Sequence, residues 1–209
     1  CDSNHERFEM LKLYYAKGTC SSAVYMTAKS LNIDLELINV DISKGILDDG
    51  SDYKAINKKG YVPALQLENG DVITEVVAIC AYLASLKGDN TVFPLSGKGL
   101  IDQLEWCNYI ATELHKNYMP LFLRLFGVDI GESWGMHGES QLANRYQYVE
   151  DALSQQNYLT GDIVTSADFY LLMTTLWADK TGYDLKSFPN VLAFKQRMLA
   201  LPVVQAVLA

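Results

Sequence analysis

A cysteine followed by two serines stands at the start of a helical pattern, in the stretch "YYAKGTCSSAVYMTAKSL" from Tyr14 to Leu31. The first N–H groups of a helix have no partners within the helix and carry a partial positive charge, which stabilises a thiolate. A thiol at that point has a lowered pKa and is a better nucleophile at neutral pH. The position therefore allows a reactive thiol at Cys20, with Ser21 and Ser22 as helix caps or donors to a bound sulfur. The alternative, which composition alone favours, is a buried, inert cysteine that fills the turn.

The stretch "GYVPALQLENGDVITEVVAI" joins a proline-led strand to an acidic helix start. If the Val62–Pro63 peptide bond is cis, the N–H and C=O of Val62 can face outward and pair with an extended peptide. Glu75, in the first turn of the next helix, could receive a ligand ammonium while the helix-start N–H groups receive a carboxylate. These groups suit the zwitterionic end of a peptide. The alternatives are a proline that ends a loop and a glutamate that caps a helix.

The stretch "EWCNYIATELHKNYMPLF" places His115 on a long helix with an apolar face. A lone histidine on such a helix is usually a structural or surface residue, and Asn108 has the pattern of an exposed polar position. Cys80 and Cys107 lie inside apolar helices and are predicted to be packing residues. Because no two cysteines have CxxC or zinc-type spacing, we expect neither a disulfide framework nor a metal site.

Thr165 and Asp168, in "IVTSADFYLL", have capping-box spacing, with Val164 and Phe169 available as a hydrophobic staple. The pattern predicts the start of a helix, and we assign these residues a structural role.

The elements that must position these residues are of two kinds. From residue 11 to 86 the pattern predicts β-α-β-α-β-β-α, with a helical or irregular segment at 46–57 and a hairpin turned at Asn69–Gly70. Beyond a stretch rich in Gly, Pro, Asn and Ser, only helical periodicity appears. We therefore expect an α/β domain (10–87), a linker (88–98) and an all-α domain (99–209). The helical segments are predicted at 100–126, 139–156, 166–181 and 188–200.

Two further segments carry weaker predictions. We expect residues 1–9 to be a remnant that precedes a native start at Met10, because this polar stretch lacks the order of a signal peptide. The Gly-rich segment 127–138, with Trp134 and His137, is predicted to be a loop.

The composition excludes several classes of function. The chain has 209 residues with 17 Lys and Arg against 25 Asp and Glu, a net charge of −8. Nucleic acids and anionic membranes bind preferentially to basic surfaces, so neither is an expected partner of this acidic chain. No run approaches the ~18 to 20 apolar residues that cross a bilayer. Reduced thiols and the lack of a signal peptide predict a cytoplasmic protein.

Together these pieces resemble the glutathione S-transferase superfamily, most closely its bacterial, cysteine-containing beta class. The resemblance runs from Met10 to Ala209 and is carried by "KLYYAKGTCS", "DYKAINKKGYVPALQLENGDVITEVVAI", "WCNYIATELHKNYMPLF" and "VTSADFYLL". It implies a thioredoxin-like N-terminal domain followed by an all-helical C-terminal domain.

The resemblance also implies roles for individual residues. Cys20 matches the cysteine beside the glutathione sulfur, which can form a mixed disulfide with it. Val62, before a cis Pro63, matches the residue whose backbone pairs with the cysteinyl part of glutathione. Glu75 and Val76 match the pair that holds the γ-glutamyl end.

Three more matches complete the implied site. Lys44 resembles the lysine that reaches the glycyl carboxylate. His115 matches a histidine near the thiol, where it supplies positive charge or a hydrogen bond. Asn108 matches a polar site residue on the same helix.

The implied function is glutathione transfer to small electrophiles, with glutathione as co-substrate and no metal, or thiol–disulfide exchange through Cys20. The alternatives are a binding or scaffold protein with little catalysis and a glutathione-dependent isomerase. The family also implies detoxification and a homodimer.

The sequence departs from the family pattern at three places. Val76 stands where a small or hydroxylic residue is usual, which predicts weakened glutathione binding. The usual "NPKG" turn is "NKKG" here, from Asn57 to Gly60, and we expect this to change only the stiffness of the loop. The loop at 127–138 is predicted to shape the pocket of the second substrate.

Overall fold

The computed structural model describes residues 10–88 and 90–209, so the predicted remnant at 1–9 lies outside the described residues. The first part of the chain holds a sheet and two helices. In chain order these are β1 Lys12–Tyr15, α1 Ser21–Ser30, β2 Glu36–Asp41, β3 Ile46–Leu47, β4 Ala64–Gln66, β5 Val72–Thr74 and α2 Val76–Ser85.

The five strands form one mixed sheet in the order β3-β2-β1-β4-β5. Strands β1 and β2 are parallel and connected by α1, whereas β4 pairs antiparallel with both β1 and β5. This is the thioredoxin-like arrangement that the sequence predicts. It places the start of α1 and the chain entering β4 next to each other, because α1 follows the C-terminal end of β1 and the antiparallel β4 begins beside that end.

The segment before the hairpin, predicted as helical or irregular, is largely irregular, and its described residues contain no α-helix. The segment 46–57 contains the two-residue strand β3 and a single 3₁₀ turn, Tyr53–Ala55. Asp52 caps this turn by accepting a hydrogen bond from the Lys54 N–H. Gly45 and Gly50 have φ values of 70° and 84°, a left-handed conformation that a regular helix does not use.

The second part of the chain is helical, as predicted. Its helices are α3 Gly97–Tyr109, α4 Met119–Leu125, α5 Glu132–Leu153, α6 Ser166–Thr181, α7 Pro189–Leu199 and α8 Pro202–Leu208. A π-helical turn, Ile110–His115, and a 3₁₀ turn, Lys116–Tyr118, connect α3 to α4. The predicted helix 100–126 is therefore not uniform, and α3 begins inside the predicted linker.

The predicted loop at 127–138 is also shorter than expected. Helix α5 begins at Glu132, so Trp134 and His137 lie on a helix. A Cβ atom added to Gly138 would lie 3.0 Å from Cγ of Pro120, and this glycine therefore allows α5 to pack closely against α4. Sequence alone reads glycines as helix breakers because it does not contain that contact.

One continuous core joins the two parts. Leu13 and Leu83 of the sheet-bearing part belong to the same buried cluster as Leu171 and Phe194 of the helical part. At the start of α6, Thr165 and Asp168 form the predicted capping box. The Asp168 carboxylate accepts the Thr165 N–H at 2.8 Å, which anchors the helix that packs against α1.

Among the described residues, no single helix has the length and apolar composition to span a membrane. The bent pair α7–α8 has a sufficient combined length and apolar composition, and these two properties are the only grounds for considering a membrane span there.

Candidate active site

Cys20 is the residue that immediately precedes α1, as the sequence predicts. Its side chain is buried, and its Sγ atom lies 3.6 Å from the carbonyl oxygen of Val62. The two following serines stabilise the preceding loop. Ser21 Oγ accepts the Ala16 N–H at 3.1 Å, and Ser22 Oγ accepts the Gly18 N–H at 3.2 Å. The thiol is thereby held at the end of β1 against the chain that enters β4.

The expected acidity of Cys20 is wrong for this structure. Burial raises the pKa of the Cys20 thiol to about 12, although nearby backbone N–H groups lower it. Desolvation disfavours the thiolate more than the helix start favours it, because water is excluded from the sulfur. At neutral pH Cys20 is therefore a neutral thiol that can donate a hydrogen bond to Val62.

Val62 offers the backbone edge of the site. The Val62–Pro63 bond is cis, as the family resemblance implies. Strand β4 begins at Ala64, whose partner in the sheet is Tyr14, so the N–H and C=O of Val62 lie outside the ladder. Tyr53 Oη and Asn57 Nδ2 donate to the Tyr61 carbonyl at 3.2 and 2.8 Å, which fixes the preceding turn.

Glu75 lies at the cap of α2 and not in its first turn. Its φ is +76°, an uncommon conformation for a residue other than glycine and one found often at functional sites. Its carboxylate is half-exposed and receives the Lys59 ammonium at 2.5 Å. The next residue, Val76, buries its side chain in the core while its N–H belongs to the unpaired first turn of α2.

His115 ends the π-helical turn and faces two aromatic residues of α6. Its Nδ1 lies 2.7 Å from Tyr170 Oη, and its ring centroid is 4.6 Å from that of Trp177. Burial first, and then the charge of Lys116, lower the pKa of His115 to about 4. The histidine is therefore neutral at pH 7. The expected positive charge is not present in this structure, and a hydrogen bond from His115 to a bound sulfur stays a prediction.

Helix α6 connects His115 with the cysteine loop. Trp177 Nε1 donates to the Gly18 carbonyl at 2.9 Å, two residues before Cys20. Burial raises the pKa of Tyr170, and a negative charge on Cys20 would raise it further. The negative charge of Glu75 also raises the pKa values of Cys20 and His115. These residues therefore act within one electrostatic environment.

Two predicted site residues are less closely connected. Lys44 is largely exposed and forms a 3.4 Å salt bridge with Asp41. Asn108 is exposed on α3, where its carbonyl accepts the Thr112 hydroxyl at 3.0 Å. Within the described residues, no hydrogen bond or salt bridge joins either side chain to Cys20 or His115.

Sequence reasoning missed three residues of this site. Lys59 was assigned only to loop stiffness, and Tyr170 and Trp177 were covered by the prediction of a structural helix. The signal for Lys59 was a cation in the turn before Val62. The aromatic residues carried no signal, since buried aromatic residues on an apolar helix are ordinary core residues.

Two family models match the chain. "Glutathione S-transferase, N-terminal domain" matches residues 19–86, and "Glutathione S-transferase, C-terminal domain" matches residues 114–202. Among curated relatives, glutathione S-transferase GstA of Escherichia coli O157:H7 is 39% identical over 95% of this chain and 98% of its own. Glutathione S-transferase GST-4.5 of Xanthomonas campestris pv. campestris is 31% identical over 95% of this chain and 97% of its own.

Solved structures agree with these matches. A ternary complex of BphK, a bacterial GST, has a TM-score of 0.89 at 32% identity and covers 94% of this chain and 97% of its own. A sphingomonad glutathione S-transferase complexed with glutathione has a TM-score of 0.86 at 26% identity, with coverages of 94% and 96%. A beta class enzyme from Sphingomonas chungbukensis has a TM-score of 0.83 at 26% identity, with the same coverages.

Proposed function

The chain belongs to the glutathione S-transferase family, and from this premise we propose that it joins glutathione, as co-substrate, to small electrophiles at the site around Cys20. The observation that carries the proposal is the 3.6 Å contact between Cys20 Sγ and the Val62 carbonyl. In that contact the thiol of Cys20 lies beside a backbone segment that can pair with an extended peptide.

The site offers a complementary group to each part of glutathione. The cysteinyl part pairs with the N–H and C=O of Val62, and its own N–H replaces the thiol of Cys20 at the carbonyl. The γ-glutamyl ammonium binds Glu75, while its carboxylate binds the first N–H groups of α2 at Val76. Lys44, which is exposed and extendable, reaches the glycyl carboxylate.

The reaction uses the thiol of glutathione as the nucleophile. The thiol of Cys20 and the ring N–H of neutral His115 donate hydrogen bonds to its sulfur, and so lower its pKa. The glutathione thiol loses its proton to solvent water, and the resulting thiolate attacks an electrophilic carbon and forms a C–S bond. The displaced group leaves with the electron pair of the broken bond, or, in an addition, the neighbouring atom takes up a proton. Donors that are fixed in advance favour the anion without reorganising.

Thiol–disulfide exchange is a second candidate, favoured by the position of Cys20. In that reaction the Cys20 thiolate attacks a glutathione disulfide, a Cys20–glutathione disulfide forms, and one glutathione leaves as a thiolate that takes up a proton. A pKa of about 12 leaves very little Cys20 thiolate at neutral pH, which disfavours this route. Conjugation is therefore the principal proposal.

The other two alternatives have less support. A probable maleylacetoacetate isomerase of Drosophila melanogaster is 25% identical, below the 39% and 31% of the two bacterial transferases named above. A scaffold without catalysis is supported by Val76 alone. The homodimer, cytoplasmic location and metal independence stay proposals that accompany membership of the family.

Two measurements test the proposal. The first is calorimetric titration with glutathione, and the second is a conjugation assay with an activated aryl halide. We expect saturable binding in the micromolar to millimolar range and glutathione-dependent product. No heat of binding at millimolar glutathione would contradict it. Glutathione binding without conjugation of any electrophile would support the scaffold alternative instead.

A further inference from the structure

Glu75, the carboxylate proposed to bind the ligand ammonium, already has an ammonium partner in this chain. Lys59 Nζ lies 2.5 Å from Glu75 Oε1 and 2.8 Å from Thr74 Oγ1. Tyr61 Oη lies 3.4 Å from the same carboxylate oxygen, and the Lys59 ammonium lies 5.9 Å from the Tyr61 ring centroid. Lys59 thus has the contacts that an incoming primary ammonium would make.

We propose that Lys59 is an internal competitor for Glu75, which lowers the affinity of the site for ligands with a free α-amino group and so sets their specificity. The inference rests on the proposed function, because it takes the γ-glutamyl ammonium of glutathione as the group that Lys59 resembles. A ligand ammonium must displace Lys59 or share one carboxylate with it.

The charges support competition and not cooperation. Two ammonium groups at one carboxylate repel each other, whereas one ammonium neutralises it. The hydrogen bond to Glu75 raises the pKa of Lys59, so its ammonium stays charged throughout the physiological range. The backbone of Glu75 has φ at +76°, and its carboxylate oxygen Oε1 lies at the position that Lys59 occupies.

The pair is also weak enough to be displaced. Both side chains are about half-exposed, at 44% for Lys59 and 56% for Glu75, and exposed ion pairs contribute little. We therefore expect Lys59 to reduce the affinity of an amino-bearing ligand by about two- to fivefold and not to abolish binding. Lys59 can swing into solvent when the ligand arrives, since the turn that carries it is exposed.

The matched control is the neighbouring lysine. Lys58 is exposed on the same turn and forms no salt bridge within the described part of the chain. Lys58→Met and Lys59→Met remove the same charge one residue apart. They separate the local contact with Glu75 from the general attraction between a basic loop and an anionic ligand.

The test is calorimetric titration of the full chain and both variants with two ligands. One ligand is glutathione, and the other is glutaryl-cysteinylglycine, which is glutathione without its α-amino group. We expect Lys59→Met to lower the Kd for glutathione two- to fivefold and to leave the Kd for the des-amino ligand unchanged. Lys58→Met should change the Kd of neither ligand. The effect of Lys59→Met on the Kd for glutathione should become smaller at high salt.

The contrary results are distinct. An unchanged or raised Kd of Lys59→Met for glutathione overturns the inference, and a raised Kd for both ligands assigns Lys59 to a ligand carboxylate instead. If the unmodified chain binds neither ligand, the proposed function fails and the inference fails with it. If all three proteins bind glutathione equally, only the inference fails.

Discussion

His115 Nδ1 and Tyr170 Oη lie 2.7 Å apart, although 55 residues separate them in the chain. Because His115 is neutral, one nitrogen of its ring carries a proton and the other accepts one. If the phenol of Tyr170 donates to Nδ1, the proton of the ring is on Nε2 and is available to a bound sulfur. Tyr170 is thus a positioning residue for His115.

Replacing Tyr170 with phenylalanine removes this hydrogen bond. Because the Nδ1 atom loses its partner, the imidazole is no longer fixed in one tautomer, and we expect kcat to fall about five- to tenfold. The KM for glutathione should change little, since Val62 and Glu75 are intact. Steady-state conjugation kinetics measure both constants. An unchanged kcat would show that Tyr170 serves packing alone.

The buried His115 also makes stability depend on pH. Its pKa is lowered to about 4, against about 6.5 when unfolded, so between these values the unfolded chain binds a proton that the folded chain does not. Stability is therefore full above about pH 6.5 and is lost as the pH falls toward 4. From pH 7 to pH 4 this one group removes about 3 kcal/mol of unfolding free energy.

Denaturant unfolding of the chain and of His115→Gln at pH 7 and pH 4 measures that loss. We expect the variant to lose about 3 kcal/mol less than the unmodified chain over this interval. Asp168, whose pKa burial raises to about 6, acts in the opposite direction but is common to both proteins. The matched control is His137→Gln, which removes an exposed histidine. Equal losses in the chain and in His115→Gln would contradict the prediction.

Substitution of Cys20 separates the two proposed reactions. Cys20→Ser keeps a donor to the sulfur, so conjugation should stay within a few-fold of the unmodified rate. Cys20→Ala loses that donor, and conjugation should fall about five- to tenfold. Both variants should lose any glutathione-dependent disulfide reduction. Disulfide reduction that persists in Cys20→Ala would exclude this thiol as its nucleophile.

Val76 gives a prediction of increased affinity. A serine at this position adds a hydroxyl donor to the ligand carboxylate beside the helix-start N–H groups. A hydrogen bond to a charged group contributes about 1.5 to 3 kcal/mol, so the Kd for glutathione should fall by about 10- to 100-fold. The control is Val76→Ala, which loses the buried methyl groups without gaining a hydroxyl. If calorimetry finds equal Kd values for the serine and alanine variants, the hydroxyl makes no such contact.

Local signals predicted the parts of the fold that depend on local chemistry. The alternation of Leu35 to Asp41 predicted β2, the turn at Asn69–Gly70 predicted the hairpin, and Thr165 with Asp168 predicted the first residue of α6. Each of these features is decided by neighbours within a few residues. Segment 46–57 was harder to predict, because single turns have no periodicity.

The site depends on contacts between distant residues, which local sequence patterns predict less well. Cys20, Val62 and Glu75 could be singled out by type and position, but the burial that raises the Cys20 pKa depends on tertiary packing. The pairs Lys59–Glu75 and His115–Tyr170 join residues 16 and 55 positions apart. No pattern in a single sequence predicts which distant side chain fills a hydrogen-bonding position.

A structure of the chain with bound glutathione tests the central claim most directly. We expect the cysteinyl backbone to pair with the N–H and C=O of Val62, the α-ammonium to lie at Glu75 with Lys59 displaced or shifted, and the sulfur to lie within hydrogen-bonding distance of Cys20. Glutathione bound elsewhere, or a Val62 edge left empty at saturating glutathione, would contradict the account.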